Sequence, residues 1–476
     1  MRTLFLLLPL LAAPTGSGDA ARLERALATL SADEIRADLY FFADAEMGGR
    51  DTPSLEQRVA ARFLRARLEQ MGLAPGGRNG YFHEYARYQR RIDPARTHLT
   101  LRDPEGELRL AFGTDYFFPT SDDIVALDVA GELVWCGNGA KGDLSRPEVR
   151  GRIAVCLASG SARQRARYAR EAGARGLVVL PDLAGTEDPA AEECRRTTEY
   201  ARRGLLMAAP REDEIFPQAF LTLAAARRFA AAAGLASPAP PAGTPLRGQL
   251  SDVRVGSGPL ALENVCALWP GSDPDLGREV VIVSAHYDHV GWQGGKLHPG
   301  ADDNGSGSMG LLALAEALVE YGPLRRSVLL MWVSGEEKGL WGSAAWTQDP
   351  TLPEGHRAVC NLNIDMIGRN APDYLLITPT RALAKEYNGL TRLAEELAPL
   401  EGFPRLGSAD EYWERSDHMN FAKNLGIPVA FLFSDVHADY HKPTDTVEKI
   451  DCDKIRRVTR LVLRMLDRLQ ADELAL

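Results

Sequence analysis

The chain has 476 residues, 45% hydrophobic and 25% charged, with a formal net charge of −10. That length allows roughly two or three domains and at least one large buried core. The acidic balance excludes the electrostatic footprint of a nucleic-acid binder or of a protein held on an anionic membrane surface.

The N-terminus reads as an address. Arg2 precedes an apolar run over residues 4–13, and small and polar residues follow through Gly18, Asp19 and Ala20. This is the pattern of a signal peptide over residues 1–20, too short to span a bilayer as a helix. It implies a secreted or periplasmic protein. No other stretch approaches transmembrane length, so no membrane partner is expected. The six cysteines are scattered without a CxxC pair, which makes them poor metal ligands.

Residues 31–73 carry a helical pattern, opened by the capping pair Ser31 and Glu34. Residues 98–118 turn to short strands around an Asp-Pro-Glu-Gly turn. The organisation that follows is an N-terminal part over 21–120, an inserted unit with its linker over 121–245, and a main domain over 246–476. Within the insert, strand-like runs at 131–136, Ile153–Leu157 and Gly176–Leu180 surround a helical segment at 162–173. The Pro/Ala/Gly-rich stretch 236–245 reads as a connector.

Beyond it, apolar runs at 280–285, Ser327–Val333, 358–364 and 428–433 alternate with helical patterns at 306–321, 380–397 and 453–469. Such alternation predicts an α/β fold, a mixed but largely parallel central sheet with helices on both faces. In that architecture ligands bind beyond the carboxyl ends of the strands. The polar residues fall there. His286 and Asp288 follow the first run, Glu336 and Glu337 the second, and Asp365 the third. His441 lies in the loop after the fourth, and Asp302 and Asp303 precede a helix.

Three carboxylates and two imidazoles suit two divalent ions of the zinc type, which together can activate a shared water. Asp288, two residues from His286 on an extended segment, can orient the imidazole. Of the adjacent Glu336 and Glu337, one can bind metal while the other acts as general base. Singly, each feature has a plainer reading: a satisfied histidine, a solvated glutamate pair, a helix cap. Together, carboxylates at the ends of apolar strands would be costly without a cation.

The segments Ala-His286-Tyr-Asp288-His289-Val-Gly291, Gly300-Ala-Asp-Asp303-Asn-Gly-Ser-Gly307 and Gly335-Glu336-Glu337-Lys-Gly-Leu-Trp-Gly-Ser343 resemble the co-catalytic di-zinc exopeptidases typified by bacterial leucyl aminopeptidases. Asn-Ile-Asp365-Met-Ile-Gly368 and Tyr440-His441-Lys-Pro-Thr-Asp-Thr446 continue the resemblance in the same order, over about residues 263–450. It implies two Zn2+ ions, with Asp303 bridging, His286 and Asp365 completing one site, and Glu337 and His441 the other. It further implies Glu336 as general base and Asp288 as partner of His286. The family's oxyanion-stabilising tyrosine falls at Trp413, with Tyr412 beside it. The insert, through Gly131-Glu-Leu-Val-Trp135, Gly151-Arg-Ile-Ala-Val155 and Ala172-Gly-Ala-Arg-Gly-Leu-Val-Val179, resembles a protease-associated domain; a small α/β insert without binding duties is the alternative.

The function so implied is an exported peptidase acting on free peptide or protein N-termini. A carboxypeptidase or a glutaminyl-cyclase-like enzyme on the same fold is the alternative, and a receptor-like binding protein is the alternative of another class.

Overall fold

A computed structural model describes residues 17–90, 92–118, 126–203, 205–207, 216–255, 259–474 and 476. The expected export segment lies outside them except for 17–20, which open the helix Ser17–Thr29. No helix among the described residues is long and apolar enough to cross a membrane.

The chain divides into two units, Met1–Tyr85 with Leu262–Leu476, and Ala86–Ala261. The second unit therefore begins earlier and ends later than the expected 121–245. The reason is strand pairing. The strand Pro245–Val255 pairs with His98–Asp103 on one side and Ala126–Trp135 on the other. The hairpin assigned to the N-terminal part and the end of the supposed connector thus share one eight-stranded sheet with Ile153–Leu157 and Gly176–Leu180.

In the first unit four strands form the parallel centre: β1 (Glu279–His286), β2 (Ser327–Val333), β3 (Arg357–Asp365) and β4 (Val429–Phe433). Their order is β2-β1-β3-β4. Antiparallel neighbours, Pro259–Trp269 on β2 and Leu375–Thr378 on β4, make the sheet mixed. Alternation along β1 sorts its side chains between two cores. Val281, Val283 and Ala285 pack with α1 (Gly307–Tyr321) and α2 (Cys452–Arg468), whereas Val280 and Ile282 pack with Trp346 and Phe421. Both faces are buried, so the strands read as unbroken apolar runs. All six cysteines are free and buried.

The expected helix over 380–397 shortens to Gly389–Leu397. The side chain of Asn388 caps it by accepting from the backbone N–H groups of Leu390 and Thr391, while Thr380 is tied to Asp410 instead.

Candidate metal centre

The expected residues sit at or beyond the ends of the parallel strands, except Asp303, which lies at the start of a helix. His286 is the last residue of β1 and Asp365 the last of β3. Glu336 and Glu337 follow β2 after a Ser-Gly step. Asp303 lies in the turn Ala301–Ser306 that leads into α1, with a cis Asp303–Asn304 peptide. His441 is carried by the loop after β4 and has a left-handed backbone, φ 52°, as does Met366 beside Asp365, φ 49°. Such conformations cost a non-glycine residue roughly 1–3 kcal/mol and persist only where the surroundings enforce them.

The turn holding Asp303 is stitched from several directions. Asp445 accepts the backbone N–H groups of Asp302 and Asp303. Asp302 accepts that of Gly368, and Asn304 accepts those of Gly307 and Met366 while donating to Ile364 O. Gly307 leaves room for this: a Cβ there would come within 2.3 Å of Asn304 Oδ1.

The donors form two clusters that share Asp303. His286 Nε2 is 3.3 Å from Asp303 Oδ1 and 3.2 Å from Asp365 Oδ1. His441 Nε2 is 3.0 Å from the other oxygen, Asp303 Oδ2, and 3.2 Å from Glu337 Oε2. Asp303 thus presents one oxygen to each cluster. Asp288 makes a different contact from the one its spacing suggests. Its backbone oxygen lies 3.1 Å from His286 Nδ1, whereas the carboxylate stands 3.8 Å away, too far for a hydrogen bond. That carboxylate instead accepts from Thr52 Oγ1 and the Glu336 N–H, so it ties the β1 and β2 loops together.

His289 joins the second cluster, a role that its sequence position alone does not assign. Its ring is fully buried, with Nδ1 2.8 Å from Glu337 Oε1 and 3.6 Å from Asp303 Oδ2. The expectation of an extended segment hides it, since alternation would point it away from His286. In the structure β1 stops at His286 and the chain turns. Its place in the same short motif is the available signal. Arg50 also escapes a reading by motif. Buried, it donates to the carbonyls of Phe42, Tyr287, Pro299 and Gly300, clamping the loops that carry His286 and Asp303.

The electrostatics call for cations. Asp288, Asp303, Glu336, Glu337, Asp365 and Asp417 gather about three imidazoles. Burial pushes the Asp288 carboxyl up to about 6 and the Asp417 carboxyl up to about 7. Burial also drives Glu336 well above its ordinary value, with His286 opposing and Glu337 adding to the rise. For His286 burial acts downward, but Asp365 and Glu336 hold it well above the ordinary imidazole range. Both ring nitrogens of His289, Glu337 Oε1 and His441 Nε2 are buried without a hydrogen-bond partner among the described residues. Buried donors converging without partners fit bound divalent metal, and the nitrogen–oxygen set fits zinc.

The model of Peptidase family M28 matches residues 264–466. That segment is similar to the M28 peptidases. It holds every donor of both clusters and Glu336. A "Probable leucine aminopeptidase" of Arthroderma otae is 30% identical over 200 residues, 40% of this chain and 54% of that protein. "Leupeptin-inactivating enzyme 1" of Streptomyces exfoliatus is 33% identical over 191 residues, 39% of this chain and 38% of that protein. The chain therefore spans about half the length of the first curated relative and less of the second. Among solved structures, an aminopeptidase from Aneurinibacillus sp. strain AM-1 is 20% identical, with 96% of this chain and 97% of that one covered at a TM-score of 0.48.

The oxyanion position differs from the M28 expectation. Trp413 packs on His418, ring centroids 5.2 Å apart, and is not among the residues lining the pocket at the site. Tyr412 and Tyr440 line it, together with His286, Asp303, Glu336, Asp365 and an apolar wall that includes Met366, Phe431 and Phe433.

Proposed function

We propose that this chain is an exported aminopeptidase with two Zn2+ ions, one at His286, Asp303 and Asp365 and the other at Asp303, Glu337 and His441. The observation that carries the reading is the meeting of the first cluster with Glu336 in one pocket of about 250 Å3. Zinc bound there would acidify a water and polarise the scissile carbonyl. Glu336 takes the proton of the attacking water and returns it to the leaving nitrogen. Tyr412 donates its hydroxyl to Asp435, so Tyr440, stacked on His441, is the phenol left to hydrogen-bond the developing oxyanion. Its partly buried hydroxyl is pushed well above the ordinary range, chiefly by burial, and so stays a donor at neutral pH. The carboxylates beside the pocket suit a protonated N-terminus, and the apolar wall suits an apolar first side chain. The names of the curated relatives agree with this substrate class. The second unit, Ala86–Ala261, serves in this reading as a protease-associated domain.

One observation favours the opposite direction. Arg369 is held by Asp439 at 2.8 Å, but Arg415, which lines the pocket, has no ion pair among the described residues and could grip a terminal carboxylate. A matched pair of short peptides decides: N-acetylation should abolish cleavage and C-amidation should not, whereas the reverse makes the enzyme a carboxypeptidase. Glu336→Gln should keep both metals and lower turnover by at least ~10²; near-normal turnover with metals bound would remove Glu336 from the chemistry.

A further inference from the structure

The two metal positions are unequal. The first offers three protein donors, His286 Nε2, Asp303 Oδ1 and Asp365 Oδ1, and all three residues line the pocket with Glu336. The second has Asp303 Oδ2, Glu337 and His441 Nε2, with His289 Nδ1 beside them, and these four donors lie within 4.8 Å of one another. Apart from the shared Asp303, none of the second position's residues is among those lining the pocket.

We infer that His289 is a direct ligand at the second position, which makes it a closed four-ligand zinc site, while the first keeps an open place toward substrate. Four donors about 2.0–2.2 Å from one zinc ion stand roughly 3.3 Å apart when tetrahedral. His289 Nδ1 stands 3.6 Å from Asp303 Oδ2, and His441 Nε2 stands 3.0 Å from Asp303 Oδ2 and 3.2 Å from Glu337 Oε2, close to that spacing, while the other Glu337 oxygen, Oε1, lies 2.8 Å from His289 Nδ1. A hydrogen bond from His289 to Glu337 is the rival account. The 2.8 Å distance allows it, and His289→Asn, which keeps a donor but not an imidazole, distinguishes the two. The two imidazoles meet edge to face, centroids 5.4 Å apart, as rings turned on a common point do. Closed zinc sites hold structure, and catalytic ones keep an open position. The second ion is then the anchor that fixes Asp303 and the loop of His441, and the first is the one that exchanges.

The inference rests on reading the site as a two-zinc centre, and the test separates the two. Purified full-length protein, loaded with zinc, is dialysed against graded chelator; zinc is counted and its X-ray absorption fine structure recorded. One ion should leave at a chelator concentration at least ~10-fold lower than the other, since even a lost outer-shell partner weakens a metal by ~10–100-fold. The one-zinc form should show two imidazoles on its zinc. His289→Ala should bring the two losses together, and His289→Asn, which keeps a donor for Glu337, should not restore the gap. One imidazole in the one-zinc form, or full rescue by asparagine, would overturn the ligand and leave the two-zinc centre standing. A chain that takes up no zinc would overturn both. The absorption measurement needs no variant, so a misfolded His289→Ala leaves the question decidable.

Discussion

Parallel strands under helices occur in both units, and their strand ends differ. In the second unit Ile153–Leu157 and Gly176–Leu180 run side by side, and the loops beyond them close on themselves. The Ala158 N–H donates to Leu180 O, Arg165 donates to the carbonyls of Ser159 and Gly160, and Asp182 accepts from Ala184. An open cleft of about 470 Å3 in this unit is lined by Arg102, Glu132 and Gln249 among others, with no histidine or cysteine. In the first unit β1 and β3 end in His286 and Asp365, and the Glu336–Glu337 pair follows β2, so that their charged groups converge. Both candidate metal clusters among the described residues lie here. The crevice at strand ends is a property of the architecture. What makes it a site is the density of buried donors that the loops fail to satisfy among themselves.

That contrast is broken most severely at Asp303. Asp303→Ala removes the only side chain common to both clusters, so both ions should fall below one per chain and hydrolysis should drop by at least ~10³. Metal analysis giving two ions per chain would refute the bridge. A smaller effect on the site is expected at Arg50. Arg50→Met leaves four carbonyls without their donor, at roughly 1 kcal/mol each or about 4 kcal/mol of stability. Since two of those carbonyls belong to Tyr287 and Gly300, metal affinity should fall with stability. Calorimetry and zinc titration on one sample check both. Unchanged zinc affinity in a destabilised protein would mean the clamp serves the fold alone.

Much of this is legible in the amino-acid sequence alone. Continuous apolar runs reveal the parallel strands because burial on both faces removes alternation, and the charged residues directly after them stand out against those runs. Less legible is anything set by long-range pairing. The strand Pro245–Val255 joins a hairpin more than 130 positions earlier, which local composition does not encode, so composition misplaces the second unit's edges. His289 is hidden because β1 ends at His286, where the alternation of an extended segment stops applying. Arg50 is hidden because four backbone carbonyls leave no sequence signature. Trp413 falls where the resemblance implies an oxyanion-stabilising tyrosine, yet it packs on His418 while Tyr412 and Tyr440 line the pocket.

The smallest effect on the centre should come from a buried arginine of the second unit, Arg254, and that makes it the sharpest control. Arg254 is buried like Arg50, but its partners are Asp252, with Nη2 2.8 Å from Oδ2, the carbonyl of Gln218, and the ring of Phe118 4.0 Å below it. All of these belong to the second unit. Arg254→Met strands a buried carboxylate, an uncompensated charge worth about 3 kcal/mol. The loss should appear as faster amide exchange in Pro245–Val255 and Gln218–Leu221, with zinc content and turnover per folded molecule unchanged. Adding Asp252→Leu removes the stranded charge, so the double variant should regain most of that protection, since an apolar pair can replace a buried ion pair. If Arg254→Met instead lowers zinc content, the two units are energetically joined and the contrast between them fails. If it changes neither exchange nor metal, the ion pair is only space-filling.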